Sequence, residues 1–132
     1  MKKRELVLTK YGISNARQRE LRAFCEQLPE WKQFLSEHKN TVESNRYRDV
    51  PEKTMGAISD KTADLAVKRA NLQEKIRLVE DIARETDPEL WEYIIASICY
   101  DIPYHKLNVP ISQNAFYDRR RYFYFLLDHK KK

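Results

Sequence analysis

From residue 112 to residue 121 the chain reads Ser-Gln-Asn-Ala-Phe-Tyr-Asp-Arg-Arg-Arg, and Lys130, Lys131 and Lys132 stand further on. These residue types suit a nucleic acid. The side-chain amides of Gln113 and Asn114 pair a donor with an acceptor and match the edge of adenine, while Arg121 has the fork that reads guanine. Ser112, Tyr117 and Arg120 suit phosphate oxygens, and Arg119 either pairs within the chain or reaches a flanking phosphate. The three lysines add attraction that ignores base sequence. On a helix of about 100° per residue, Phe116, Arg119, Phe123, Leu126 and Leu127 share one side. Asn114, Tyr117, Asp118, Arg121 and Phe125 face the other way, with Gln113, Arg120 and Tyr124 along one margin. Contact with double-stranded DNA is therefore the expectation for this helix. The plain rival is a solvated arginine surface over an aromatic core.

Other chemistry is poorly served. His38, His105 and His129 are scattered, and Cys25 and Cys99 lack a CxxC partner, so no zinc spacing exists. Cys99 and His105 stand at helical spacing, but Cys99 shares a stripe with Ile95 and Ile98, which favours an inert core thiol. Glu80-Asp81 and Glu89/Glu92 lie among Lys75, Arg77 and Arg84, where surface pairing explains them. The GxxxxGK[ST] phosphate loop is missing. The expectation is a chain that is not an enzyme and holds no cofactor and no metal.

The elements that position the basic helix follow from the rest of the chain. Of its 132 residues, 42% are apolar and 34% charged, enough for one small core under a charged surface. Glycine occurs only at Gly12 and Gly56, too rarely for a fold of hairpins, and an all-α fold is expected. No apolar run is long enough to span a bilayer, and no apolar stretch follows the basic start, so neither a membrane span nor a signal peptide is expected. The thiols then fit a cytoplasmic setting. Net charge is +5, with +3 over residues 1–10, +4 over residues 111–132 and −2 between. Positive charge at both ends suggests a polyanionic partner; charge for solubility is the alternative.

The expected organisation is an N-terminal helical unit over 1–38, a linker or mobile loop over 39–58, a long central helix over 59–86 and a C-terminal unit over 87–132. Ser14 caps a first helix whose face is Leu21, Phe24, Cys25 and Leu28. Pro29 interrupts it and opens a short second helix carrying Trp31, Phe34 and Leu35. Residues 39–57 lose the apolar pattern. Leu65, Leu72 and Val79 then repeat at seven, with Ile76 and Ala83 on the second track and Arg69 interrupting it. This seam wants a partner surface, inside the chain or in a second copy, so a homodimer through the central helix is one option. Asp87-Pro88-Glu89 starts a helix bearing Leu90, Trp91, Ile94, Ile95, Ile98 and Cys99. Pro103 ends it or opens the next, Asn108-Val109-Pro110 is a turn, and Ser112 caps the last helix. Helix, short helix, turn, helix is the layout of a helix-turn-helix. Trp31 and Trp91 are expected core anchors. Phe24, Trp31 and Phe34 either pack on the long helix or offer a surface to a partner such as RNA polymerase.

Two stretches carry a resemblance. Tyr11-Gly12-Ile13-Ser14, with Arg19-Glu20-Leu21, Phe24-Cys25 and Leu28-Pro29-Glu30-Trp31-Lys32, is similar to the start of small prophage-encoded proteins of Gram-positive bacteria. Val109-Pro110-Ile111-Ser112 with Phe116-Tyr117-Asp118-Arg119-Arg120-Arg121-Tyr122-Phe123 resembles their ending. The family is that of the RinA-like and ArpU-like phage transcriptional regulators, which look like region 4 of sigma factors. The linker and central helix match it only in pattern. The resemblance implies a sequence-specific helix-turn-helix regulator acting in the cytoplasm of a bacterial host. A DNA-binding subunit of phage packaging, similar to a small terminase, and a helical protein that modulates a host protein are the alternatives.

Overall fold

A computed structural model of the chain describes residues 8–46 and 52–131, with side chains placed at 8, 10–38 and 62–131. A 3-10 turn, Thr9–Tyr11, precedes six helices: α1 Asn15–Glu26, α2 Leu28–Arg46, α3 Glu52–Thr86, α4 Trp91–Ile98, α5 Tyr104–Leu107 and α6 Gln113–Lys130. No strand occurs among the described residues, and the fold is all-α. No helix among them is long and apolar enough to cross a membrane.

Local chemistry sets most of the boundaries. Gly12, at φ +74°, turns the chain between Tyr11 and α1, a backbone region that favours glycine. The Ser14 hydroxyl accepts the N–H of Arg17 at 3.1 Å and caps α1. Pro29 sits in the first turn of α2, where its missing donor costs nothing. Thr86 closes α3 by donating its hydroxyl to the Ile82 carbonyl at 2.8 Å. Asp87 works as the expected capping acid, but on a turn: its Oδ1 accepts the N–H groups of Glu89 (2.9 Å) and Leu90 (3.1 Å), and α4 begins only at Trp91. Pro103 opens α5.

The helical spans correct the expected linker. α2 continues to Arg46 and α3 starts at Glu52, so helix occupies residues 39–46 and 52–58. Residues 39–46 are polar but contain no proline or glycine, and Gly56 costs a helix only about 1 kcal/mol. Loss of an apolar stripe is not loss of helix. The rest of the expected linker, residues 47–51, lies outside the described residues.

The chain divides into two units, Met1–Pro29 with Leu78–Lys132, and Glu30–Arg77. This division cuts across the segments expected from sequence, because α2 and α3 each contribute to both units. In the first unit α1 packs on α4 and α6, and α4 packs on α5 and α6. Its core holds Leu21, Cys25, Val79, Ile82, Ile94, Phe116, Phe123, Tyr124 and Leu127. In the second, Trp31, Leu72 and Ile76 are buried. Lys75 lies 5.6 Å from the Trp31 ring and Lys68 lies 4.2 Å from the Phe34 ring, so these aromatics pack on the long helix. Phe24 belongs to the first unit and lies under Lys131 instead, at 3.7 Å. Trp91 is half-buried rather than a core anchor, with the Arg84 guanidinium over its ring at 4.3 Å. Cys25 and Cys99 are buried free thiols.

Candidate nucleic-acid interface

The basic helix α6 is held along its length by one buried face and exposed at its first residues. Phe116, Phe123, Tyr124, Leu127 and Asp128 are buried, whereas Ser112, Gln113 and Asn114 are exposed. The Ser112 hydroxyl accepts the N–H of Ala115 at 3.2 Å. No acidic residue lies in the first turn, so the positive end of the helix dipole is uncompensated there. Upstream, Asn108 takes the left-handed conformation at φ 55° and turns the chain out of α5. Tyr104 fastens this turn. Its hydroxyl donates to the Ile111 carbonyl, and its ring lies 5.8 Å from that of Phe116.

The buried face of α6 is rotated from the one expected. Phe116, Phe123 and Leu127 are buried as the wheel predicts, but Leu126 is only half-buried while Tyr124 and Asp128 are inside. The cause is tertiary: Arg17 of α1 donates its Nε–H to Asp128 Oδ1 at 2.7 Å. Pairing lets a carboxylate occupy the seam, and it draws that side of α6 toward α1.

The rotation redistributes the arginines. Arg119 takes the internal role, donating its Nε–H to Asp87 Oδ2 at 3.2 Å. Burial acts to raise the Asp87 pKa, but the two N–H donors of the turn and Arg119 outweigh it and hold the carboxyl below its ordinary value. Arg121 is half-buried and bonded to Asp118 at 2.7 Å. Arg120 is half-buried, with its guanidinium 5.3 Å from the Tyr117 ring. Its burial lowers the pKa of the group. Gln113 donates to the Tyr117 hydroxyl at 3.0 Å.

The ten expected contact residues thus fall into separate groups. Ser112, Gln113, Asn114, Tyr117 and Arg121 come together at the N-terminal end. Lys130 and Lys131 are exposed at the other end, about 25 Å away along the axis. They reach a different stretch of any duplex bound by the first turn. Lys132 lies outside the described residues. A shallow cavity of 540 Å³ beside α6 is lined by Lys10, Tyr11, Asp87, Asp118, Arg119 and Tyr122, among others. Its charges are largely satisfied by the Arg119–Asp87 pair. Among the described residues no three His, Cys, Asp or Glu side chains could share a metal ion.

No protein-family model, no curated protein and no solved structure matches the chain.

Proposed function

We propose that the chain is a sequence-specific DNA-binding regulator of transcription, with α4, α5 and α6 as a helix-turn-helix and the first turns of α6 in the major groove. The observation that carries this is the exposure of Ser112, Gln113 and Asn114 at the start of a helix whose other side is packed. Asn114 is exposed toward base edges, Gln113 is exposed and can exchange the Tyr117 hydroxyl for one, and the helix dipole there is open to a phosphate. The turn before it is pinned by Asn108 and Tyr104, which gives the exposed residues a fixed bearing. Arg121 can trade Asp118 for a guanine or a phosphate at modest cost, since a partly exposed ion pair of this kind is weak.

The phage setting, and RNA polymerase as a second partner, come from the resemblance to RinA-like and ArpU-like regulators. A homodimer through α3 is the natural way to double a small DNA contact. Substitution tests the reading. Asn114→Ala and Arg121→Ala are expected to weaken duplex binding by about tenfold or more while circular dichroism keeps its helical signal. Wild-type affinity in both variants would overturn the assignment of this face. A ring of many subunits in solution would point to packaging instead.

A further inference from the structure

The side of α6 opposite its buried face carries Asp118, Tyr122, Phe125 and His129, which fall within about 60° of one another on the helix. A helix face turned to water is ordinarily polar. This one is aromatic. Tyr122 is 40% exposed, His129 is exposed and Phe125 is half-buried. Their rings meet one after another: Tyr122 lies 6.1 Å from Phe125, stacked at 19°, and Phe125 lies 4.4 Å from His129. Tyr11, from the turn before α1, lies 5.3 Å from Phe125. The rings hold one another in place, so covering them costs little further ordering. The two ends of the stripe differ. Asp118 has a side chain 59% exposed and gives only Oδ1 to Arg121. His129, at the other end, brings an imidazole N–H.

We propose that this stripe is the interface between two copies of the chain, packed α6 against α6 in antiparallel about a two-fold axis midway between Tyr122 and Phe125. The order of residues carries the choice of occupant, because the stripe complements its own reverse. Tyr122 then meets the partner's Phe125, and Asp118 meets the partner's His129. A two-fold contact requires this kind of self-match. A parallel pair would set carboxylate against carboxylate at Asp118, and the exposed carboxylate within the stripe opposes a nucleic acid laid along it. Pre-ordered aromatic rings at the centre with polar groups at the margins are the usual make-up of such an interface. The stripe is a different surface from the face of α3.

The arrangement also bears on the function proposed above, and this part of the inference rests on it. Asn114, Tyr117 and Arg121 flank the stripe on one side, and a two-fold axis between the helices turns that side the same way in both copies. With helix axes 8–10 Å apart, the two Asn114 residues stand about 30 Å from one another. That is near the roughly 34 Å between half-sites in successive major grooves.

Sedimentation equilibrium of the full chain tests the interface. Wild type is expected to form a dimer with a dissociation constant on the order of 10 µM, since three turns of helix make less than a standard interface. Tyr122→Lys is expected to weaken it about tenfold or more, with the helical signal in circular dichroism unchanged. Val67→Glu, on the exposed face of α3, is expected to leave it as it is. Asp118→Arg alone and His129→Glu alone are each expected to weaken the dimer, and the two together to restore it. Within one helix these positions are about 16 Å apart, so restoration reports a contact between copies. A monomer at all concentrations, a dimer lost in Val67→Glu but kept in Tyr122→Lys, or a double variant no better than the singles would overturn the proposal. Duplex binding by the same samples separates it from the function. A dimer with the expected variant pattern that binds no duplex keeps the interface and removes the DNA function. A monomer that binds duplex removes the interface and leaves the DNA function standing.

Discussion

Arg17 and Asp128 meet across the seam between α1 and α6 at 2.7 Å, and this contact orients the helix that bears the candidate interface. Asp128 is 8% exposed on its side chain and Arg17 is 28% exposed, so one partner is buried and the other half-solvated. Arg17→Gln is therefore expected to cost about 1–2 kcal/mol, less than a fully buried pair, since water screens the arginine. Urea unfolding of Arg17→Gln, Asp128→Asn and the double variant measures it. A double variant no worse than the poorer single one is the expected sign of coupling.

The Asp87 carboxyl gives stability a pH dependence. Its folded pKa lies below the ordinary 3.8, so its contribution is fully present above that value and drains away as pH falls through the folded pKa. Melting temperatures followed from neutral into the acid range are expected to fall more steeply for wild type than for Asp87→Asn. Parallel curves would remove Asp87 from the account of the turn before α4.

Asn108 holds φ 55° between α5 and the approach to α6. Asn108→Gly is expected to leave stability equal or slightly higher, and Asn108→Ala to lower it by about 1 kcal/mol, because a Cβ without a local hydrogen bond is disfavoured in this region. Thermal unfolding of the two variants checks the order.

The thiols of Cys25 and Cys99 are expected to be inert in the folded chain. A hydrogen bond with Cys99 comes first and burial second in raising the Cys25 pKa well above its ordinary value, and both side chains are buried. Labelling with a disulfide reagent at mildly alkaline pH is expected to be slow in buffer and complete in denaturant. Rapid labelling of the native chain would contradict the placement of these residues in the core.

Features written in short stretches of sequence were legible. Ser14 and Ser112 cap helices as their types suggest, and Leu72, Ile76, Val79 and Ala83 of the expected α3 seam are buried, while Leu65 at its start is half-buried. The helix through residues 39–46 was not legible, because it lacks the apolar stripe from which helices are usually read. Nor was the rotation of α6, since the Arg17–Asp128 pair that causes it joins residues 111 apart. The same holds for the candidate site. Residue types pointed to Gln113, Asn114 and the arginines, but only the fold separates exposed Arg119, tied to Asp87, from half-buried Arg121, tied to Asp118, and from Arg120, laid on the Tyr117 ring. A run of three arginines on one helix has three different surroundings, and a wheel drawn from one helix alone cannot supply them.

Fluorescence anisotropy of labelled duplexes across a salt series tests the central claim most directly, using random duplex beside fragments of phage DNA. Binding that weakens linearly in log affinity against log salt, with some fragments clearly preferred and the preference lost in Asn114→Ala, is the expected result. No binding of any duplex at low salt would contradict the account.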